Sequence, residues 1–524
     1  MRGVIAAGAP ETAEAGAEIM RQGGNAVDAA VAAAFASLIA EAPLINIGGG
    51  GLALVTRHTG EGATVYDFLP TMPSGHPHKG MDFRRILVDF GPEQQPFYIG
   101  RASVAVPGFV AGLSAMHDRW GTLPFARVVE PAIRLAREGA VLSQAQAYVL
   151  DLLLPIFSYT PELAAQFTRG GVPYKAGDRL YFPQLANTLE RLAKEGPDIF
   201  YKGDIARAIV EDQRQHGGLI QPYDLSRYEV REHTPIEISY RHTRLLLPPP
   251  PSHGGLLVGF ALRLLQDFPL DHISHNSAEH IHLLAQLMRC TQVARQDWER
   301  DARPVPERLR WFLGDFHIRS YRAQLGQALH GPLGTSPAFP PGPPYTTHIS
   351  VVDGDGLIVS LTTSAGENAG FLVGDTGISL NNMLGESDLH PEGFHRLLPG
   401  ERLPTMMTPT VGLDEEGVRL VTGSGGSSRI RSAILQVINN VLDFRMPIEE
   451  AVDSPRVHYE DEILQLEGGI SPAVQRALER YGYTAKLWPD RNMFFGGAHS
   501  IAREVGTLVG VGDRRRGGAA VVVE

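Results

Sequence analysis

The chain has a single cysteine, Cys290, in 524 residues. No intrachain disulfide can form, and its helical-looking surroundings predict a buried thiol. Positive charge is also scarce. Lys and Arg number 47 against 58 Asp and Glu, for a net charge of −11 and a pI near 6.0. That balance argues against nucleic acid as a partner. The one short basic run, Arg514-Arg515-Arg516, reads as a solvated surface turn. Long apolar runs are missing as well: Ala26 to Ala42 is alanine-rich, contains Asp28, and is too short and mild to span a membrane. Met1-Arg2-Gly3-Val4-Ile5 enters periodic structure at once, with no charged segment, apolar core and cleavage site, so a cytoplasmic location is expected. His275, His280 and His282 are spaced irregularly and no carboxylate or cysteine pattern completes a site, so no metal is expected. Hydrophobic content of 43% and charged content of 20% are those of a globular chain.

What is present centres on Pro340-Pro341-Gly342-Pro343-Pro344-Tyr345-Thr346-Thr347-His348-Ile349-Ser350-Val351-Val352-Asp353. Proline fixes φ and lacks an N–H, so this run cannot continue a helix or enter a sheet interior. His348 to Val352 then reads as a strand, Asp353-Gly354-Asp355-Gly356 as a turn, and Leu357 to Thr362 as a second strand. Two threonines therefore sit at the first step of a hairpin. Such a junction is either a linker feeding an ordinary hairpin, or a site where Thr346 becomes a new N-terminus when the Tyr345–Thr346 bond is cut. A threonine hydroxyl is a poor nucleophile without a base, and a free α-amine on the same residue can be that base. An α-amine titrates at about 7.7–8.0 when unperturbed, so part of it is neutral near pH 7. The same hydroxyl can first attack the preceding carbonyl and cut the chain without a protease.

Helices are predicted at Pro10 to Gln22, Ala26 to Ala40, Phe125 to Glu138, Leu256 to Phe268 and Ala278 to Arg300. Strands are predicted at Leu52 to Arg57, Val65 to Phe68, Ile236 to Tyr240 and Arg244 to Leu247. Gly48-Gly49-Gly50-Gly51 lacks the Lys-Ser/Thr ending of a phosphate loop and is assigned to tight backbone packing. His253 reads as a turn residue. Ser364 lies opposite the start of the hairpin, where its hydroxyl can face Thr346. Gly423-Ser424-Gly425-Gly426-Ser427 opens a helix that runs to Leu442. A glycine turn at a helix N-terminus presents N–H groups to an anion. In acyl transfer that anion is the oxyanion of the tetrahedral intermediate, which makes Gly425, Gly426 and Ser427 the candidate donors.

The stretch Tyr345 to Asp353 resembles the processing site of the gamma-glutamyltransferase (glutathione hydrolase) family of N-terminal-nucleophile hydrolases. Gly24-Asn25-Ala26-Val27-Asp28-Ala29-Ala30, Gly377 to Glu386, Pro404 to Thr410 and Asp453 to His458 are similar to that family in the same order, so the resemblance covers nearly the whole chain. It implies an α+β fold, a four-layer αββα sandwich of two stacked sheets flanked by helices. Length alone suggests three or four domains. The resemblance implies instead one unit cut into a large segment (1–345) and a small segment (346–524) that stay associated. Thr346 would be the nucleophile of an autoprocessing amidohydrolase or acyltransferase, and Ser364 would orient it where the family usually has threonine. No metal or organic cofactor is implied. The partners would be a small-molecule amide such as glutathione and water or an acceptor amine, with a homodimer left open. Many family members are secreted, so the expected location departs from theirs.

The substrate positions depart further. Where the family has an arginine that pairs with the substrate carboxylate, this chain has Leu69, and a charged hydrogen bond of that kind is worth about 1.5–3 kcal/mol. Arg84, Arg85 and Arg101 are the nearby candidates to replace it. The family's amine ligands, an asparagine, a glutamine and an acidic residue, correspond to Gly366, Met383 and Glu386. A pair of carboxylate-binding serines corresponds to Thr405 and Met406. Machinery is matched and grip is not. The expected reaction is cleavage of a gamma-glutamyl-type amide, with two alternatives. One is an acylase on another carboxylated amide, in the manner of cephalosporin acylases or oxamate amidohydrolases. The other is an unprocessed, non-catalytic scaffold.

Overall fold

A helix that is apolar on every face needs neighbours on every face, and Ala26–Ala40 has them, being buried along its whole length. It is started by a capping box: the Asn25 side chain accepts from the Val27 and Asp28 amides, and Asp28 returns a bond to the Asn25 amide. The computed structural model describes residues 1–89, 94–331, 333–335, 337, 345–390 and 392–524, with backbone alone at 89, 94 and 95. The proline run at 340–344 lies outside them.

Beneath that helix lies a seven-stranded sheet in the order Arg231–His233, Thr64–Phe68, Gly50–Arg57, Leu357–Ser364, Thr347–Asp353, Gly3–Ala7, Ala519–Val523. Every neighbouring pair is antiparallel. Both faces of this sheet are covered, so its strands alternate between two apolar cores rather than between core and water. Ile5, Ala7, Ala53, Val55, Ile349, Val351 and Leu361 pack toward the helices Pro10–Arg21, Ala26–Ala40 and Phe125–Glu138. Val4, Ala6, Leu52, Leu54, Val352 and Ile358 face the other way. They meet a second sheet, six-stranded and antiparallel: Ile236–Tyr240, Thr243–Leu247, Thr410–Asp414, Gly417–Thr422, Ser500–Glu504, Thr507–Val511. The helices His253–Leu265 and Arg429–Leu442 close the far side. Helix, sheet, sheet, helix is the expected four-layer α+β sandwich.

The glycine run does what its composition suggests. A Cβ at Gly49 would stand 2.3 Å from the Ser364 carbonyl oxygen, and one at Gly51 the same distance from that of Thr362. Cys290 is buried. Two readings need correction. His253 is in the first turn of a helix rather than in a loop, because Ser252 caps that helix by accepting from the Gly255 amide. The Arg514-Arg515-Arg516 run is not a solvated turn. Only Arg514 is exposed; Arg515 is sealed against Glu467 at 2.6 Å and Asp513 at 3.2 Å, and Arg516 is buried. Buried charges must be paired, and the partners of Arg515 come from separate parts of the small segment. The three histidines bond to separate residues, Asn440, Asn439 and Tyr483. Among the described residues no group of His, Cys, Asp or Glu could hold a metal ion, and no helix is long and apolar enough to cross a membrane.

Candidate active site

The hairpin is made rigid at its turn before it does anything at its open end. One Asp353 carboxylate oxygen accepts from the Asp355 and Leu357 amides, and the other accepts from the Ala26 amide at the helix N-terminus. The register places Thr347 opposite Thr363, and so Thr346 opposite Ser364. At that end the Thr346 hydroxyl donates to the Tyr345 carbonyl oxygen, and Ser364 Oγ donates to the same oxygen at 3.0 Å. Thr346 is 4% exposed and Tyr345 2%. Ser364 thus meets the carbonyl of the Tyr345–Thr346 bond in the uncut chain.

The carbonyl of Thr346 is held from the far side. Arg516 Nη1 donates to it at 3.1 Å, and a Cβ on Gly425 would come within 2.1 Å of the same oxygen. Burial lowers the Arg516 guanidinium to about 10, with Asp513 acting the other way. On the adjacent residue, Thr347 Oγ1 donates to Glu41 at 2.5 Å, and Thr12 Oγ1 donates to the other Glu41 oxygen at 2.7 Å. Burial raises the Glu41 carboxyl to about 7. Neither Arg516 nor Glu41 was read as part of the site. A lone Glu in an alanine-rich stretch carries no spacing signal, and a triple arginine looks like surface.

Gly425, Gly426 and Ser427 do form the turn before Arg429–Leu442, with Gly426 at φ 119° and Ser427 at φ 44°. They are not equivalent as donors. The Gly425 amide already donates to the Gly497 carbonyl at 3.3 Å, so Gly425 acts by close packing and the Gly426 and Ser427 amides remain as the turn's donors. Ser427 Oγ donates to Asp388 at 2.7 Å, and the next residue, Ser428, donates to Glu460 at 2.8 Å.

The substrate positions fall into two groups. Gly366 adopts φ 64°, its amide donates to Ser364 Oγ at 3.3 Å, and Glu386 stands beside it. Leu69 and Met383 are instead members of the apolar core between and beyond the sheets, and Met406 packs against it. The Leu69 carbonyl takes bonds from Arg402 and Tyr228, both at 2.8 Å. Thr405 Oγ1 accepts from the Met407 amide in its own turn, a bond that does not use its hydroxyl proton. Of the candidate replacements for the missing arginine, Arg101 is bound to Asp212 at 3.2 Å, while Arg84 and Arg85 are exposed.

A gamma-glutamyltranspeptidase family model matches residues 12–523. The chain belongs to that family. It is 33% identical to the acylase ACY 1 proenzyme of Pseudomonas sp. (strain SE83), covering 100% of this chain and 94% of that protein. It is 32% identical to the glutathione hydrolase proenzyme of Escherichia coli (strain K12), covering 93% and 86%. Among solved structures, cephalosporin acylase from Bacillus halodurans superposes with a TM-score of 0.85 at 25% identity, covering 99% of this chain and 95% of that one. Relatives of this gamma-glutamyltranspeptidase family member thus include both hydrolases of glutathione and acylases.

Proposed function

We propose that the protein is an autoprocessing N-terminal-threonine amidohydrolase whose acyl donor is an amide other than a gamma-glutamyl one. The observation that carries the reading is the double hydrogen bond on the Tyr345 carbonyl oxygen, from Thr346 and from Ser364. Thr346 Oγ is adjacent to the carbonyl carbon it has to attack. Attack forms an ester to Tyr345, breaks the peptide C–N bond and frees the Thr346 amine; water then hydrolyses the ester and leaves a carboxylate on Tyr345. In turnover the freed amine takes the hydroxyl proton, Oγ bonds to the substrate carbonyl, and the leaving amine collects the proton. On this reading the Gly426 and Ser427 amides receive the oxyanion, a contribution typically worth about 10²–10³ in rate per donor. The two segments remain one unit, and the acyl-enzyme passes to water or an acceptor amine.

Leu69, Met383 and Met406 support the acylase side of this reading. Those three apolar side chains offer a carboxylate no donor, and burying one without partners costs several kcal/mol. Glu386 is the one observation that favours the gamma-glutamyl alternative, because it retains the acidic ligand for an amine. The deciding experiment is intact-mass analysis of purified protein after incubation at neutral pH. Fragments 1–345 and 346–524, absent in Thr346→Ala, are expected. A chain that stays whole would leave the scaffold reading in its place.

A further inference from the structure

The guanidinium of Arg516 reaches the nucleophile past residues that have no side chain. A Cβ at Gly425 would stand 3.0 Å from its Nη1, one at Gly426 3.4 Å from its Nη2, and one at Gly497 2.2 Å from its Cδ. Gly497 above all leaves the arginine its path from the C-terminal turn to the Thr346 carbonyl, where Nη1 donates at 3.1 Å. The side chain is buried throughout. Its turn is fixed by Asp513, which accepts from the Arg515 amide with one oxygen and from the Ala498 amide with the other. The same carboxylate pairs with Arg456 at 2.7 Å and with Arg515 at 3.2 Å, so its charge is divided among several guanidiniums.

In the uncut chain that contact holds a carbonyl. After the cut the same residue carries the free amine that must serve as the base. A positive charge close to an amine disfavours its protonated form, and burial acts in the same direction. We propose that Arg516 is a positioning residue that works through this base: its fixed charge keeps the freed Thr346 amine neutral near pH 7 and loosens the proton taken up during attack, so that the leaving amine collects it readily. The proposal rests on the amidohydrolase reading above. It goes beyond the hydrogen bond to the carbonyl, which a neutral donor could also make.

The groups around the open end of the hairpin favour the same outcome. On the loop after the hairpin, burial raises Glu367 to about 8, Glu386 well above the usual carboxylate range, and Asp388 as well. Behind the strand, burial raises Glu41 to about 7, and Glu41 reaches Thr347 rather than Thr346. Burial also holds His348 well below its usual range and His499 at about 4, and keeps the Tyr345 phenol protonated. Tyr148, on the helix Gln144–Leu152, faces Tyr345. Arg429, at the start of Arg429–Leu442, adds a second positive charge. Near pH 7 the acids thus keep much of their protons, whereas Arg516, brought by burial to about 10, stays charged. The amine therefore titrates in a positive field. Its neutral form appears at lower pH than usual, and removing Arg516 moves that point upward.

The test uses the full protein after incubation, once intact mass shows the fragment 346–524, and needs no substrate. Trace acetic anhydride is added across about pH 5–9, and acetyl incorporation at Thr346, which only the neutral amine supports, is read by mass spectrometry. In the native wild type the midpoint should lie about one pH unit below the ordinary α-amine range of about 7.7–8.0, and it should return to that range on unfolding in guanidinium chloride. Arg516→Gln keeps a donor for the carbonyl and removes the charge, so its midpoint should rise by about one pH unit, while Arg516→Lys should keep the low value. A native midpoint no lower than the unfolded one, or an Arg516→Gln midpoint equal to that of the wild type, overturns the proposal and leaves the hydrolase reading intact. If Arg516→Gln is not cut, the native and unfolded wild type still decide it. If the wild-type chain itself stays whole, there is no Thr346 amine, and the hydrolase reading falls together with this proposal.

Discussion

Around Thr346 the contacts are made by backbone groups, short hydroxyls and the Arg516 guanidinium, whereas at Leu69, Met383 and Met406 apolar side chains pack into a core. On the first side, a carbonyl, a glycine and two hydroxyls leave no tolerance: at Gly425 one methyl group would collide with the Thr346 oxygen. On the second, one apolar residue can replace another while the sheets keep their register. A family can therefore keep a reaction while the apolar side chains at its substrate positions change. The 33% identity to an acylase and 32% to a glutathione hydrolase fit that division of labour.

Leu69→Arg tests the comparison most harshly. It restores the family's residue type inside an apolar core, where an uncompensated charge costs on the order of 3–5 kcal/mol. Denaturant unfolding should report a loss of that size. Preference for a gamma-glutamyl anilide should not appear, because Met383 and Met406 still replace the family's other polar ligands. If Leu69→Arg folds normally and takes gamma-glutamyl substrates, the wall is a polar subsite in disguise and the comparison breaks.

Glu41 sharpens the hairpin side. Its folded value of about 7 lies above the ordinary 4.5, so the native state binds the proton more tightly. The stabilisation is complete below pH 4.5 and is lost as pH rises through 7, an effect on the order of 3 kcal/mol in all. Unfolding midpoints across pH 5–8 should fall for the native chain and fall less for Glu41→Gln. The slope should not vanish, because Glu367 and Glu386 are raised too and act with the same sign.

Arg516→Met has the smallest expected effect on energy and the most specific readout. Asp513 keeps Arg456 and Arg515 as partners, so the fold retains its buried pairs. What is lost is the donor on the Thr346 carbonyl, a charged bond of about 1.5–3 kcal/mol. Cleavage at Tyr345–Thr346, followed by gel densitometry, should slow about 10- to 100-fold, with partial recovery in Arg516→Lys. An unchanged rate would remove Arg516 from the site.

The legibility of the molecule followed the range of its signals. Ala26–Ala40, Phe125–Glu138 and Ala278–Arg300 were readable to the residue, since periodicity and caps are local. The hairpin came out one residue short at each end of its first strand, and its second strand continued two residues beyond Thr362, because strand ends are set by pairing partners. His253 was misplaced by a cap that only geometry reveals. The positions of Thr346, of Ser364 opposite it and of the glycine turn were legible because they lie in contiguous motifs. Arg516 and Glu41 were not, since each draws its meaning from residues far away in sequence. Gly425 was assigned a donor role from its place in the turn, but the strand-like bridge to Gly497 had already taken its amide.

The order of strands in the larger sheet has one further consequence. Gly3–Ala7 lies between Thr347–Asp353 on one side and Ala519–Val523 on the other. A cut at Tyr345–Thr346 would leave a strand of the first piece clasped between two strands of the second. The uncut chain can find that arrangement as one molecule, with the segments held at high effective concentration by their tether. Two separate pieces would have to meet in solution and thread the same interleaving. Maturation would thus be a ratchet: the mature protein, once unfolded at low concentration, should fail to refold where its precursor succeeds.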